Sequence, residues 1–212
     1  MSTSCSDPHT SLSPCSNNII RLHYNIYIYT SMSNHVSISL AQPSDRALLE
    51  GLMQFYLYDL SELEADDSSE MEFTDDGRLP PYRYLPEYWI DASRTPVLIK
   101  RGERPVGFAL INQISHRDER NVDCCMAEFF VARKHRRHGV ATQALHLILA
   151  AHPGRWEVSV DACNRGALGF WPRAIASASN ITELVRYDCD TEHWSGPIWS
   201  FTATARVNTT GE

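Results

Sequence analysis

Residues Glu128-Phe-Phe-Val-Ala-Arg-Lys-His-Arg-Arg-His-Gly-Val-Ala-Thr142 place a lone carboxylate in an apolar run, then a basic loop, then two small residues. The apolar Gln143-Ala-Leu-His-Leu-Ile-Leu-Ala150 follows at once and reads as an amphipathic helix. A helix start carries unpaired N–H groups and a positive dipole end, so with arginines beside it this is a site for a phosphate-bearing ligand. In Arg136-x-x-Gly139-x-Ala141 the small residues let a pyrophosphate approach the backbone. The loop is neither a Walker loop, lacking Gly-Lys-Ser/Thr, nor a Gly-x-Gly-x-x-Gly turn.

Glu128 is the candidate base. It sits in Met126-Ala-Glu-Phe-Phe-Val131, where apolar surroundings raise a carboxyl pKa toward the range useful for taking a proton. Strand alternation puts Glu128 and Phe130 on one face, Phe129 and Val131 on the other. The structural alternative is a buried carboxylate tied to an arginine or tyrosine.

The elements around these residues follow from pattern. Met32 looks like a natural beginning, and a first strand follows it up to Leu40. Ser44-Asp45 caps a helix carrying Leu48, Leu49, Leu52, Met53, Phe55, Tyr56 and Leu60. An acidic connector holds Glu62, Glu64, Asp66, Asp67, Glu70, Glu72, Asp75 and Asp76, and a short helix lies within Tyr82 to Ile90. Pro96–Lys100 and Val106–Ile111 form a hairpin, and Val122–Val131 the next strand. A helix over Gly139–Ala151, a strand over Trp156–Val160 and a helix over Arg165–Ala176 come next, the last kinked or started late by Pro172. Strands near Thr182–Tyr187 and Ile198–Ala205 close the domain.

The loop resembles the acyl-CoA signature of the GNAT superfamily of CoA-dependent N-acetyltransferases, Arg/Gln-x-x-Gly-x-Gly/Ala between a strand and a helix. A second run, Asn164-Arg-Gly-Ala-Leu-Gly-Phe170-Trp171, is similar to that family's Asn-x-x-Ala-x-x-Phe-Tyr, and Gln54 to Glu62 resembles the first helix of a bacterial-type subgroup. The resemblance covers residues 37–205. It implies an α/β (α+β mixed) fold, a central, mostly antiparallel sheet with helices on both faces in the order β-α-α-β-β-β-α-β-α-β-β. It also implies acetyl-CoA as co-substrate. Backbone N–H groups of Arg136, Arg137, His138, Gly139, Val140 and Ala141 would cradle the pyrophosphate, Arg136 and Arg137 would add charge, and Thr142 a hydroxyl. Phe129, Phe130 and Val131 would pair with the pantetheine amides, with Asn164 holding that arm and Trp171 packing against it. The plainer readings are a solvated basic turn for the arginines and a helix N-cap for Asn164.

Trp171 stands where the family places a tyrosine acid, so the proton donor is another phenol (Tyr56, Tyr58 or Tyr187) or solvent. The connector carboxylates would attract a cationic amine acceptor, a polyamine, aminoglycoside-like compound or lysine side chain, or else form a solvated loop. Tyr56 and Asp59 share a helix face and are the candidate substrate-binding pair, with core packing as the alternative for Tyr56.

The chain of 212 residues suits one α/β domain over 32–206, with an extension at 1–31 that reads as a disordered tail and a short tail at 207–212. A hydrophobic fraction of 43% is that of a globular protein, and no run approaches the roughly 20 apolar residues of a membrane span. The net charge of −7 argues against nucleic acid as principal partner, although the 133–138 basic cluster keeps that reading as a third choice. The six cysteines lack zinc-site spacing, no metal constellation emerges, and a reducing cytoplasm fits. An edge strand at the C-terminus leaves room for a homodimer. The expected activity is N-acetyl transfer by direct attack in a ternary complex. A non-catalytic acyl-CoA sensor is the alternative, kept open by Trp171.

Overall fold

The computed structural model of the chain describes residues 34–64, 71–117, 122–191 and 194–205. The expected tails at 1–31 and 207–212 lie outside the described residues. The strands are β1 (Val36–Leu40), β2 (Thr95–Arg101), β3 (Arg104–Asn112), β4 (Cys124–Val131), β5 (Gly154–Ser159), β6 (Ile181–Asp190) and β7 (Ser195–Ala203). The helices are α1 (Arg46–Leu60), α2 (Val140–Ala151) and α3 (Arg165–Ala176). Seven strands form one sheet in the order β1-β2-β3-β4-β5-β7-β6, antiparallel except where β4 meets β5.

Central strands covered on both faces read as near-continuous apolar runs, as Val97-Leu-Ile99 and Phe108-Ala-Leu-Ile111 do. Leu98, Phe108 and Leu110 meet Leu49, Met53 and Leu57 of α1. Val97, Ala109 and Ile111 face the other way, with Leu145, Ile148 and Leu149 of α2 and Ala174 and Ile175 of α3. Each fully buried leucine or methionine contributes about 1.5–3 kcal/mol, so the three buried positions of α1 are enough to hold it on the sheet. Gly107 of β3 sits where β4 passes closest, and a Cβ there would lie 2.0 Å from the Phe130 carbonyl oxygen.

Two irregularities shape the site. The β4–β5 pairing runs only from Cys124↔Trp156 to Met126↔Val158, so the edge of β4 from Ala127 onward faces no strand on that side. On its other side β4 slips against β3 between Leu110↔Glu128 and Ile111↔Met126, leaving Ala127 as an extra residue. Such a bulge re-aims the side chains beyond it. Met126 therefore joins the core under α2 and α3, and Phe130 the core under α1.

Three expectations are corrected. Asp45 occupies the N-cap position of α1 but its side chain does not cap that helix. Pro43 opens a 3-10 turn over Pro43–Asp45, and the Asp45 carboxylate turns back to accept from the Gln42 N–H at 2.9 Å. The short helix expected within Tyr82 to Ile90 is present, as a 3-10 helix over Leu85–Trp89. Next, α3 runs unbroken from Arg165 through Pro172 to Ala176, held by burial of Trp171, Ala174 and Ile175. Finally, the last strand, β7, lies inside the sheet, and the two edge strands are β1 and β6.

Candidate active site

The loop after β4 turns through a 3-10 segment at Arg133–His135 and reaches Gly139, which has φ of 74° and precedes the first residue of α2. Left-handed backbone is open to glycine and strained for a β-branched residue. Arg137 shares that conformation at φ 62°. Gly139 offers no side-chain cap, and among the described residues the N–H groups of Val140, Ala141 and Thr142 make no hydrogen bond. Unpaired donors at the positive end of a twelve-residue helix form an anion cradle. The His135 imidazole is held below its ordinary pKa by burial, and then by the charges of Arg101, Lys134, His138 and Arg104.

The loop arginines differ in what they touch. Arg136 Nε donates to the Val131 carbonyl at 2.6 Å, its guanidinium lies 5.6 Å from the Phe130 ring centroid, and an Nη2 contact ties it to Asp59. Arg133 donates to the other Asp59 oxygen from Nε at 2.8 Å. Both oxygens of Asp59, whose side chain is 17% exposed, are therefore engaged by the loop. Asp59 shares the expected helix face with Tyr56, yet its contacts are to Arg133 and Arg136. Arg137 is exposed, and His138 Nδ1 lies 2.7 Å from the Arg136 carbonyl.

Glu128 points to the α1 face, where the Tyr56 hydroxyl donates to its Oε2. The Tyr56 ring is wedged edge-on between Phe108 and Phe130, with centroids 5.7 and 5.9 Å away, so its hydroxyl is aimed by packing. Burial pushes the Glu128 carboxyl above the usual glutamate range, while the hydrogen bond from Tyr56 pulls the other way. Burial and then the Glu128 charge push Tyr56 and Tyr82 well above an ordinary phenol. Tyr88 is pushed up to about 12, chiefly by burial.

Of the three phenols put forward as proton donors, Tyr58 lies exposed against Phe73, and Tyr187 lies on β6 with the Arg117 guanidinium 3.3 Å from its ring centroid. Tyr56 alone of the three meets Glu128. Tyr82 and Tyr88 were not singled out from the sequence, because they follow a proline pair and belong to no periodic pattern. Phe129 packs toward Phe170 and Trp171, with centroids at 6.0 and 5.2 Å, and Trp171 is 6% exposed in the core. Asn164 caps α3, its Oδ1 accepting from the Ala167 N–H at 2.9 Å. In the acidic connector, Asp66, Asp67 and Glu70 lie outside the described residues. Asp75 and Asp76 line a cavity of about 690 Å³ with Arg46, Glu50, Gln54 and Tyr82. Among the described residues no cluster of three or more His, Cys, Asp or Glu is placed to hold a metal, and no helix is long and apolar enough to cross a membrane.

The fold is shared with known structures. An acetyltransferase from Thermus thermophilus superposes with a TM-score of 0.56 at 17% identity, over 82% of this chain and 100% of that one. A GNAT-family acetyltransferase from Staphylococcus aureus superposes with a TM-score of 0.51 at 9% identity, over 79% and 99%. Comparison with curated protein sequences returned no match. The sequence of residues 57–175, more than half of the chain and spanning β4, the basic loop after it and most of α3, matches the Acetyltransferase (GNAT) family, to which this protein therefore belongs.

Proposed function

We propose that this protein is an acetyl-CoA-dependent N-acetyltransferase acting on the primary amine of a small cationic molecule or peptide, by direct attack in a ternary complex. The observation that carries the reading is the pairing of unbonded N–H groups at the start of α2 with a half-buried carboxyl on β4, the strand that leads into that loop. The residues fit the coenzyme. The unbonded N–H groups of Val140, Ala141 and Thr142 suit a pyrophosphate, and the unpaired edge of β4 from Ala127 to Val131 suits an amide-bearing arm. Acetyl-CoA supplies an acyl group already activated as a thioester.

This chain's own part is to bind, orient and move a proton. Amines are protonated near neutral pH, so one proton must leave before the nitrogen becomes a nucleophile. Glu128 accepts that proton at its carboxylate, and its raised pKa makes it a stronger base than an exposed glutamate. Arg137, exposed on the cradle, adds charge toward the phosphates. Cytoplasmic location and a homodimer through the β6 edge belong to the same reading.

The test is acetyl-CoA binding by calorimetry, followed by thiol release over polyamines, aminoglycosides and lysine peptides. Turnover that collapses in Glu128→Gln with acetyl-CoA affinity retained is the expected result. Binding without turnover on any amine would favour the acyl-CoA sensor reading, which the burial of Trp171 at the family's tyrosine position keeps alive. No binding at all would overturn both.

A further inference from the structure

The edge strand β6 pairs with β7 along one side, and among the described residues no strand lies along the other. A row of unpaired N–H and C=O groups on a ten-residue strand is a template for a further strand. From Thr182 to Arg186 the strand is exposed on both faces, with Leu184 and Val185 at 42% and 45%. The opposite edge, β1, has five residues and no charged side chain, so nothing on it would set a register. A bulge interrupts the β6–β7 ladder between Thr182 and Val185, where Glu183 has φ of 56°. Regular strand therefore runs from Val185 to Asp190.

The two faces of this stretch differ. The Arg186 guanidinium lies 5.9 Å from the Trp199 ring centroid, and Trp199 belongs to the core under α2 and α3. Arg186 and, by alternation, Asp188 are on that face, while Val185, Tyr187 and Cys189 are on the other. Arg186 donates to Asp188 Oδ1 from Nε at 3.1 Å and from Nη2 at 2.5 Å. The free edge thus displays one positive and one negative charge, two residues apart and both exposed.

Antiparallel addition of β6 to a second β6 has its two-fold axis perpendicular to the sheet, and residues opposite one another share a face. The axis must then pass through a residue. At Arg186, Asp188 or Asp190 it sets like charges against each other, and at Cys189 it sets Asp188 against Asp190. At Val185 it draws the bulged Glu183 and Leu184 into the ladder. At Tyr187 each Arg186 faces Asp188 of the second copy, each Val185 faces Cys189, and two tyrosines meet on the axis. We propose that the homodimer of the preceding reading forms by β6–β6 pairing about a two-fold axis at Tyr187, joining two seven-stranded sheets into one. Opposite charges and aromatic rings directly across an antiparallel pair both favour it.

Sedimentation velocity of the full chain over a concentration series should show a monomer–dimer equilibrium that weakens with salt, since exposed ion pairs are screened. Arg186→Asp sets carboxylate against carboxylate at both contacts and should lower association by roughly tenfold or more. Asp188→Arg should do the same. Mixed in equal amounts, the two variants should dimerise again, because each presents the charge the other needs. Mixing cannot restore the Arg186–Asp188 pair within one copy, so recovery reports on the contact between copies. Val185→Cys checks the register: mild oxidation should link it to Cys189 of the second copy, and adding Cys189→Ser should abolish the link. Circular dichroism should stay unchanged throughout. A monomer at every concentration, no recovery on mixing, or a cross-link that survives Cys189→Ser would overturn the pairing. A dimer indifferent to both charge reversals would overturn it too, moving the interface to another surface such as exposed Phe55 and Tyr58 of α1. Failure of the enzyme reading looks different: Glu128→Gln would then keep thiol release at the wild-type rate.

Discussion

The loop at residues 132–142 presents unbonded N–H groups from one stretch of backbone, whereas Glu128 meets the Tyr56 phenol brought to it by α1. In the loop the donors are N–H groups, so most side chains can vary while the conformation at Gly139 cannot. Around Glu128 the partner is a side chain, the Tyr56 phenol carried in by α1. Asp59 joins the two regions. It lies one helical turn from Tyr56 on α1 and holds Arg133 and Arg136 of the loop. One turn of α1 therefore braces the cradle at one end and the carboxyl at the other.

The contrast breaks most sharply at Gly139. Gly139→Val puts a β-branched residue at φ 74°, where it is strained by roughly 1–3 kcal/mol. It also brings a side chain to the cradle mouth. Acetyl-CoA affinity should fall by at least about a hundredfold in calorimetry, with circular dichroism unchanged. Glu128→Gln should do the reverse, lowering thiol release by roughly 10²–10⁴-fold while leaving acetyl-CoA affinity within about twofold.

The pH dependence sharpens the same division. Because burial raises the Glu128 pKa, the rate should climb with pH through a midpoint above that of an ordinary glutamate, and this limb should vanish in Glu128→Gln. Stability follows with a fixed sign. The folded state binds the Glu128 proton more tightly than the unfolded chain, so the associated stability is present below the unfolded pKa and is lost as pH rises to the raised folded one. Denaturant titrations of the wild type and Glu128→Gln should converge at the acid end of that window and separate above it.

The smallest effect is expected at Asp59. Its two partners are 64% and 40% exposed, so screening keeps the pairs weak, and Asp59→Asn should cost about 1 kcal/mol in a melting experiment. As a brace for the loop, Asp59 should affect the KM for acetyl-CoA and leave the acceptor KM unchanged. A change in the acceptor KM alone would return Asp59 to the acceptor site.

Much of the loop was legible because Arg136, Gly139 and Ala141 follow one another in the chain, and a strand and a helix flank them. Glu128 stood out as a carboxylate in an apolar run. Its partner Tyr56 was singled out only as a helix-face residue or an acid, since helical periodicity gives a direction but not the strand beneath it. The capping of α1 was misread because Pro43 starts a turn one step before the favoured cap residues, and α3 outlasted Pro172 because burial outweighs one lost hydrogen bond.

The sequence by itself determined most element types of this protein, the basic loop between a strand and a helix, and the carboxylate in an apolar run, because each depends on neighbours within a few positions. Only the tertiary structure decided that Asp59 meets Arg133 and Arg136, that Trp171 is core, and that Tyr56 meets Glu128. Those contacts join segments far apart in the chain, and their geometry is set by the β4 bulge, the incomplete β4–β5 pairing and the packing of α1. Local pattern encodes none of these three.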